Sequence, residues 1–308
     1  MAPFASRVLH GPLEGGLARL VMPPGTGPGD FLEPRGEPAL LPPDAVSWAV
    51  FSNPLSLFVG GVAAVLLELA EPGVREGVWR HSRFRTHPLE RLQRTGHAAM
   101  MTVYGPRSRT LAMVAGVTRR HAQVNGRLAD GTPYSATDPV LLDWVHATAS
   151  FGFLEAYHAH VAPVSTAERD RYYAEGEAAA RLYGATSPPD SEAAVDALFD
   201  RMADRLEPSP VIFEFLAIVR RMPALPRALR PVQGWLVDAA IAVLPPWVRA
   251  RLGLTGLKPL AAWQRALIDG AAGALAGMAL GTHPAVLACR RLGLPDDYLF
   301  GGDAPRRA

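Results

Sequence analysis

Cysteine is almost missing from this chain: Cys289 is the only one in 308 residues. No internal disulfide can form, and no cysteine-rich zinc or iron–sulfur centre can be built. Lysine is as scarce. The 31 basic residues are arginines except for Lys258. Set against 29 acidic residues, they leave a net charge of only +2. A balance so close to neutral gives no field that would gather a nucleic acid, and an arginine bias in composition is not in itself an anion site. Long apolar runs are missing too. The longest stretches, Val59–Leu69 (interrupted by Glu68) and Ala271–Leu280, fall short of the roughly 20 residues a spanning helix needs. The opening MAPFASRVLHGPLEGG has neither a basic stretch leading into an apolar core nor a twin arginine. The expectation is a cytoplasmic protein with no transmembrane segment and no nucleic-acid partner. Gly-x-Gly-x-x-Gly, Walker and Gly-x-Ser-x-Gly patterns are also absent, which removes the commonest nucleotide and serine-hydrolase sites.

What is present is apolar residue in quantity, 49% of the chain, enough for a large core. Residues 1–44 are dense in proline and glycine and cannot sustain a helix. They are expected to form an extended arm, with 45–300 as the folded domain and 301–308 as a disordered tail. From Asp44 onward apolar residues recur at three and four, the helical period. The spacing predicts helices over 44–51, 54–70, 72–79, 88–103, 107–128, 138–160, 165–183, 190–207, 209–219, 224–228, 231–244, 245–252, 259–280 and 283–291. Several carry good ends. Asp138 followed by Pro139 is an N-cap with proline at the first helical position. Ser165 with Glu168 is a capping box, and Gly184 suits a left-handed stop. The expected fold class is all-α, a single large multi-helix globular domain.

With cysteine excluded, the nine histidines are the main supply of soft metal ligands. Leu111, Val114, Val117, His121 and Val124 fall three, three, four and three apart, which puts His121 on an apolar stripe facing the core. Such a histidine is either a structural residue bonded to a backbone carbonyl or a metal or haem ligand through one ring nitrogen. The next helix is apolar on two faces, Leu142/His146/Ala149/Phe153 and Leu141/Trp144/Val145/Thr148, so it is a central helix and His146 is a second buried candidate. Arg91, Arg94 and Thr95, at i, i+3 and i+4, share a helix face. That face is either a solvated basic surface or a polar patch over a reactive centre. Glu155 and His158 resemble half of a di-iron motif, but no second half follows. Asp143 is the only carboxylate close in sequence to His146.

Three linked segments carry a resemblance: Arg120-His121-Ala122-Gln123-Val124-Asn125-Gly126, then Gly131-Thr132-Pro133-Tyr134-Ser135-Ala136-Thr137-Asp138-Pro139, then Trp144-Val145-His146-Ala147-Thr148. Together they resemble the MpaB-type oxygenase family, whose domain is shared with the latex-clearing, haem-b rubber oxygenases, over about residues 50–300. The resemblance implies haem b, with His121 as proximal iron ligand. It implies a distal polar face where the family's Arg-x-x-Lys-Thr reads Arg91-Leu92-Gln93-Arg94-Thr95. The change at Arg94 matters, because the family's lysine can itself ligate iron and a guanidinium has no lone pair to give. The expected catalytic set is Arg91, Arg94, Thr95 and His146. The expected cofactor-binding set is His121 with Arg120, Val117, Val124 and Trp144. Dioxygen or a peroxide would be the oxidant and an apolar small molecule or lipid-like compound the substrate; an electron donor cannot be read from the sequence. Two rivals stand beside this reading: a non-catalytic haem- or ligand-binding helical protein, and an all-α protein in which His121 is purely structural.

Overall fold

A computed structural model describes residues 23–300. Its helices are α1 (Gly29–Leu32), α2 (Val46–Val50), α3 (Pro54–Ala70), α4 (Pro72–His81), α5 (Pro88–Tyr104), α6 (Arg107–His121), α7 (Pro139–His160), α8 (Thr166–Tyr183), α9 (Glu192–Met202), α10 (Pro210–Arg221), α11 (Arg230–Ala242), α12 (Pro246–Arg251), α13 (Ala262–Ala276) and α14 (Pro284–Leu292). A two-stranded antiparallel hairpin, β1 (Asn125–Arg127) and β2 (Pro133–Ser135), is the only sheet among the described residues. The all-α expectation holds.

Local chemistry explains where the helices begin and end. Proline opens α3, α4 and α7, each capped by the side chain before it. Asn53 accepts from the Leu55 and Ser56 amides, Glu71 from Val74 and Asp138 from Val140. The Ser165–Glu168 capping box forms, and Gly184 closes α8 at φ 103°, a conformation that favours glycine. The helix expected over 107–128 is shorter than its periodicity suggests and stops at His121. Residues 125–135 become the hairpin, turned by Asp130 and Gly131, the latter at φ 89°. The long helix expected over 259–280 contracts to Ala262–Ala276, because Pro259 precedes it and Gly277 follows. The segment 224–228 becomes a short 3-10 turn, Arg227–Leu229.

The core is organised on α3 and α7, which cross backbone to backbone. A Cβ on Gly60 would stand 2.7 Å from both the Gly152 carbonyl oxygen and the Phe153 Cα. One on Gly152 would stand 2.5 Å from the Gly60 carbonyl oxygen. Backbone cannot yield there as a flexible side chain could. Gly60→Ala is therefore expected to cost about 2 kcal/mol of stability, read as a lowered urea midpoint with unchanged slope. Around the crossing pack Trp48, Leu66, Leu67, Leu69, Tyr104, Trp144 and Leu154, all fully or almost fully buried. The Tyr104 hydroxyl donates to the Trp48 carbonyl at 2.5 Å.

The Pro/Gly-rich arm expected over 1–44 lies outside the described residues up to position 22, as does the tail expected over 301–308. The described stretch from residue 23 runs against the body. Phe31 is fully buried, and the buried Arg291 donates to the carbonyls of Phe31 (2.6 Å) and Glu37 (2.8 Å). No single helix among the described residues is long and apolar enough to cross a membrane.

Candidate functional site

Titratable groups on three helices act on one another electrostatically: Glu68 on α3, Arg91 on α5 and His121 on α6. Helix α3 carries Glu68, the only charged residue in its 17. Burial pushes the Glu68 carboxyl up to about 7, against the pull of the Arg91 guanidinium. Arg91, on α5, is itself held below its usual range by burial, with Glu68 working in the opposite direction and Arg94 adding like-charge repulsion. His121 ends α6, where the carbonyl end of a helix ordinarily favours the imidazolium. Here burial wins, reinforced by Arg91, and the ring is held below its ordinary pKa and stays neutral. Its Nδ1 is sealed from solvent, and the ring makes no hydrogen bond among the described residues.

The structure therefore brings together Arg91, Arg94 and His121 of the expected site, with Glu68. Arg91 is half-buried while Arg94 and Thr95 are exposed, and the Thr95 hydroxyl donates to the Arg91 carbonyl at 2.9 Å. Beside His121, Val117 is half-buried and Arg120 exposed. Val124 is not on the α6 stripe, because the helix has already ended. It rests instead against α4, its Cγ1 3.5 Å from where a Cβ on Gly77 would stand.

Trp144 is fully buried against Phe199 of α9, ring centroids 5.0 Å apart. His146 lies half-buried under α8, where a Cβ on Gly176 would come within 3.3 Å of its Nε2. Burial holds its imidazole down to about 4, and Nε2 is sealed without a partner among the described residues. No hydrogen bond or ring contact among the described residues joins His146 or Trp144 to the Glu68–Arg91–His121 cluster.

Two stripes on the central helices keep accessible surface although the helices lie inside the body: Leu142, His146, Ala149, Phe153 and Tyr157 on α7, and Phe58, Gly61, Val65 and Glu68 on α3. The stripes meet where a Gly61 Cβ would touch the Phe153 ring at 3.8 Å.

The rival metal arrangements find no support. Asp143 accepts from the Thr186 and Ser187 amides, Glu155 pairs with Arg169, and His158 Nδ1 accepts from the Val164 amide. Among the described residues no group of three or more His, Cys, Asp or Glu side chains could hold a metal ion.

Sequence reasoning missed Glu68 and Gly176. The signal for Glu68 was a lone acid in an otherwise apolar helix; Gly176 gave none, since its role is set by a side chain 30 positions away. Glu68 also makes a prediction about stability. Its folded-state pKa is raised from 4.5 to about 7, so the folded protein binds the proton more tightly than the unfolded chain. Stability is then greatest at low pH and declines as pH rises through that interval. Glu68→Gln should flatten this limb, seen as a smaller drop in Tm between about pH 5 and about pH 8 than in the parent.

Comparison with known proteins gives one finding. A family model described as ER-bound oxygenase mpaB/B'/Rubber oxygenase, catalytic domain, matches residues 48–288. No curated protein and no solved structure is matched. The matched span runs from α2 into α14 and takes in the whole polar cluster, and the chain accordingly belongs to the mpaB/rubber-oxygenase catalytic-domain family.

Proposed function

We propose that this protein is a haem-b-dependent oxygenase that uses dioxygen or a peroxide to oxidise an apolar small molecule or lipid-like substrate in the cytoplasm. The observation that carries the reading is His121: a neutral imidazole with no hydrogen bond among the described residues, disfavoured as an imidazolium by burial and by the Arg91 guanidinium, in a chain of an oxygenase family. The residues fit the cofactor. A ligand histidine must be neutral to offer its lone pair, and burial with Arg91 keeps His121 so. Haem b, when bound, supplies the activation of the oxidant.

The chain's own side chains supply the rest. Arg91 and Arg94 are permanent donors, suited to a propionate or to a developing negative charge. Arg94 cannot take the iron-ligating role open to the family's lysine. Glu68, titrating near neutrality, accepts and returns a proton at its carboxylate oxygens, with Arg91 favouring the ionised form. The apolar stripes of α3 and α7 orient the substrate and exclude water.

The test is oxygen consumption by the haem-loaded protein offered a panel of apolar alkenes. The reading expects uptake that depends on both haem and alkene. Haem binding without alkene-dependent uptake would instead favour a non-catalytic haem carrier.

A further inference from the structure

The outer face of α13 is unlike a solvated helix face. Its inner side packs Ile268 and Ala272 into the core, and its acid, Asp269, is engaged with the buried His160 at 2.6 Å and with Arg265 at 3.6 Å. The outer side carries Trp263, Ala266, Leu267, Gly270, Ala271 and Ala274, all exposed at helical spacing, with Trp263 58% and Leu267 57% accessible. A Cβ at Gly270 would stand in open space. Single exposed apolar residues are ordinary on any surface, but a stripe running the length of a helix is not. The stripe continues onto α11 through Trp235, whose ring meets Trp263 edge-on at a centroid distance of 5.0 Å.

Charge identifies what covers it. From Arg220 to Ala276 the only acids are Asp238 and Asp269, and Arg220 holds Asp238 at 2.5 Å. Arg227, in the 3-10 turn before α11, Arg230, at the start of α11, and Lys258, just before α13, are exposed and have no acidic partner among the described residues. An isologous dimer through this face would set the same basic rim against itself. An anionic bilayer would neutralise the rim while taking up the tryptophan and leucine side chains at its interface. We propose that the outer face of α13, with Trp235 and the rim of Arg227, Arg230 and Lys258, is a peripheral docking surface for anionic lipid bilayers. The helix lies along the bilayer surface rather than crossing it. This is independent of the haem reading.

The full chain is floated with vesicles of phosphatidylcholine alone or mixed with phosphatidylglycerol, at low and high salt. Docking expects binding to the mixed vesicles, weakened by salt, with a blue shift of tryptophan fluorescence. Trp263→Ser with Leu267→Ser should weaken binding at least about tenfold. Arg230→Glu with Lys258→Glu should do the same for the anionic vesicles and leave any residual binding to neutral ones unchanged. Both pairs alter exposed positions, and an unchanged circular dichroism spectrum verifies the fold. The proposal is overturned if the parent floats with neither vesicle, or if both pairs float like the parent. It is equally overturned if the parent is a dimer in solution that the Trp263→Ser/Leu267→Ser pair dissociates, since the face then belongs to a second copy.

Discussion

Replacing Glu68 by Gln is expected to lower kcat of the haem-loaded protein by about two to three orders of magnitude, with haem affinity nearly unchanged. Glutamine keeps the shape, but it cannot take up a proton. The parent carboxyl sits at about 7, the value at which a group both accepts and releases a proton most usefully near neutral pH. As a base it is active when ionised, so kcat/KM of the parent should rise with pH through about 7 and that limb should vanish in the variant. Arg91→Met provides a cross-check, because Arg91 holds Glu68 down from the still higher value burial alone would give and also disfavours the His121 imidazolium. Removing it should move the Glu68 limb to higher pH. A parent profile flat across that range, or an active Glu68→Gln protein, would remove Glu68 from the chemistry.

The second large effect is at His121. His121→Gly is expected to abolish the ligand-bound haem spectrum while the far-ultraviolet circular dichroism stays that of the parent. The side chain ends α6 and makes no hydrogen bond among the described residues, so its loss leaves no protein group newly unpaired. Because only the imidazole is removed, free imidazole added to the variant should restore the spectrum, which a general loosening of the fold would not allow. Retention of the parent spectrum in a folded His121→Gly protein would show that another side chain, with His146 the first to examine, holds the iron.

Much of this was legible in the chain because helix ends are chemically local. Asp138-Pro139 and the Ser165–Glu168 box lie where helices begin, and Gly184 where one stops. Periodicity misled at residues 122–128, since Val124 fits the α6 stripe by arithmetic although a hairpin had already replaced the helix. A three-residue strand carries too little pattern to outvote four turns of helix. Spacing likewise placed Arg91, Arg94 and Thr95 on one face, but it could not foresee that the neighbours of α5 would shelter the first and leave the other two exposed. Glu68 is a lone charge in α3, but the influence of Arg91 on its carboxyl comes from another helix and has no local signal. The two faces of α13 are both apolar in sequence, and only the packing reveals which of them the core left uncovered.

The central claim is that this helical body holds one haem on the imidazole of His121. The most direct test is a titration of the purified parent with haemin, followed in the Soret region. The account predicts a sharp, saturable band with an end point at one haem per chain, shifted from that of free haemin. A featureless, non-saturating rise equal to haemin in buffer would contradict it.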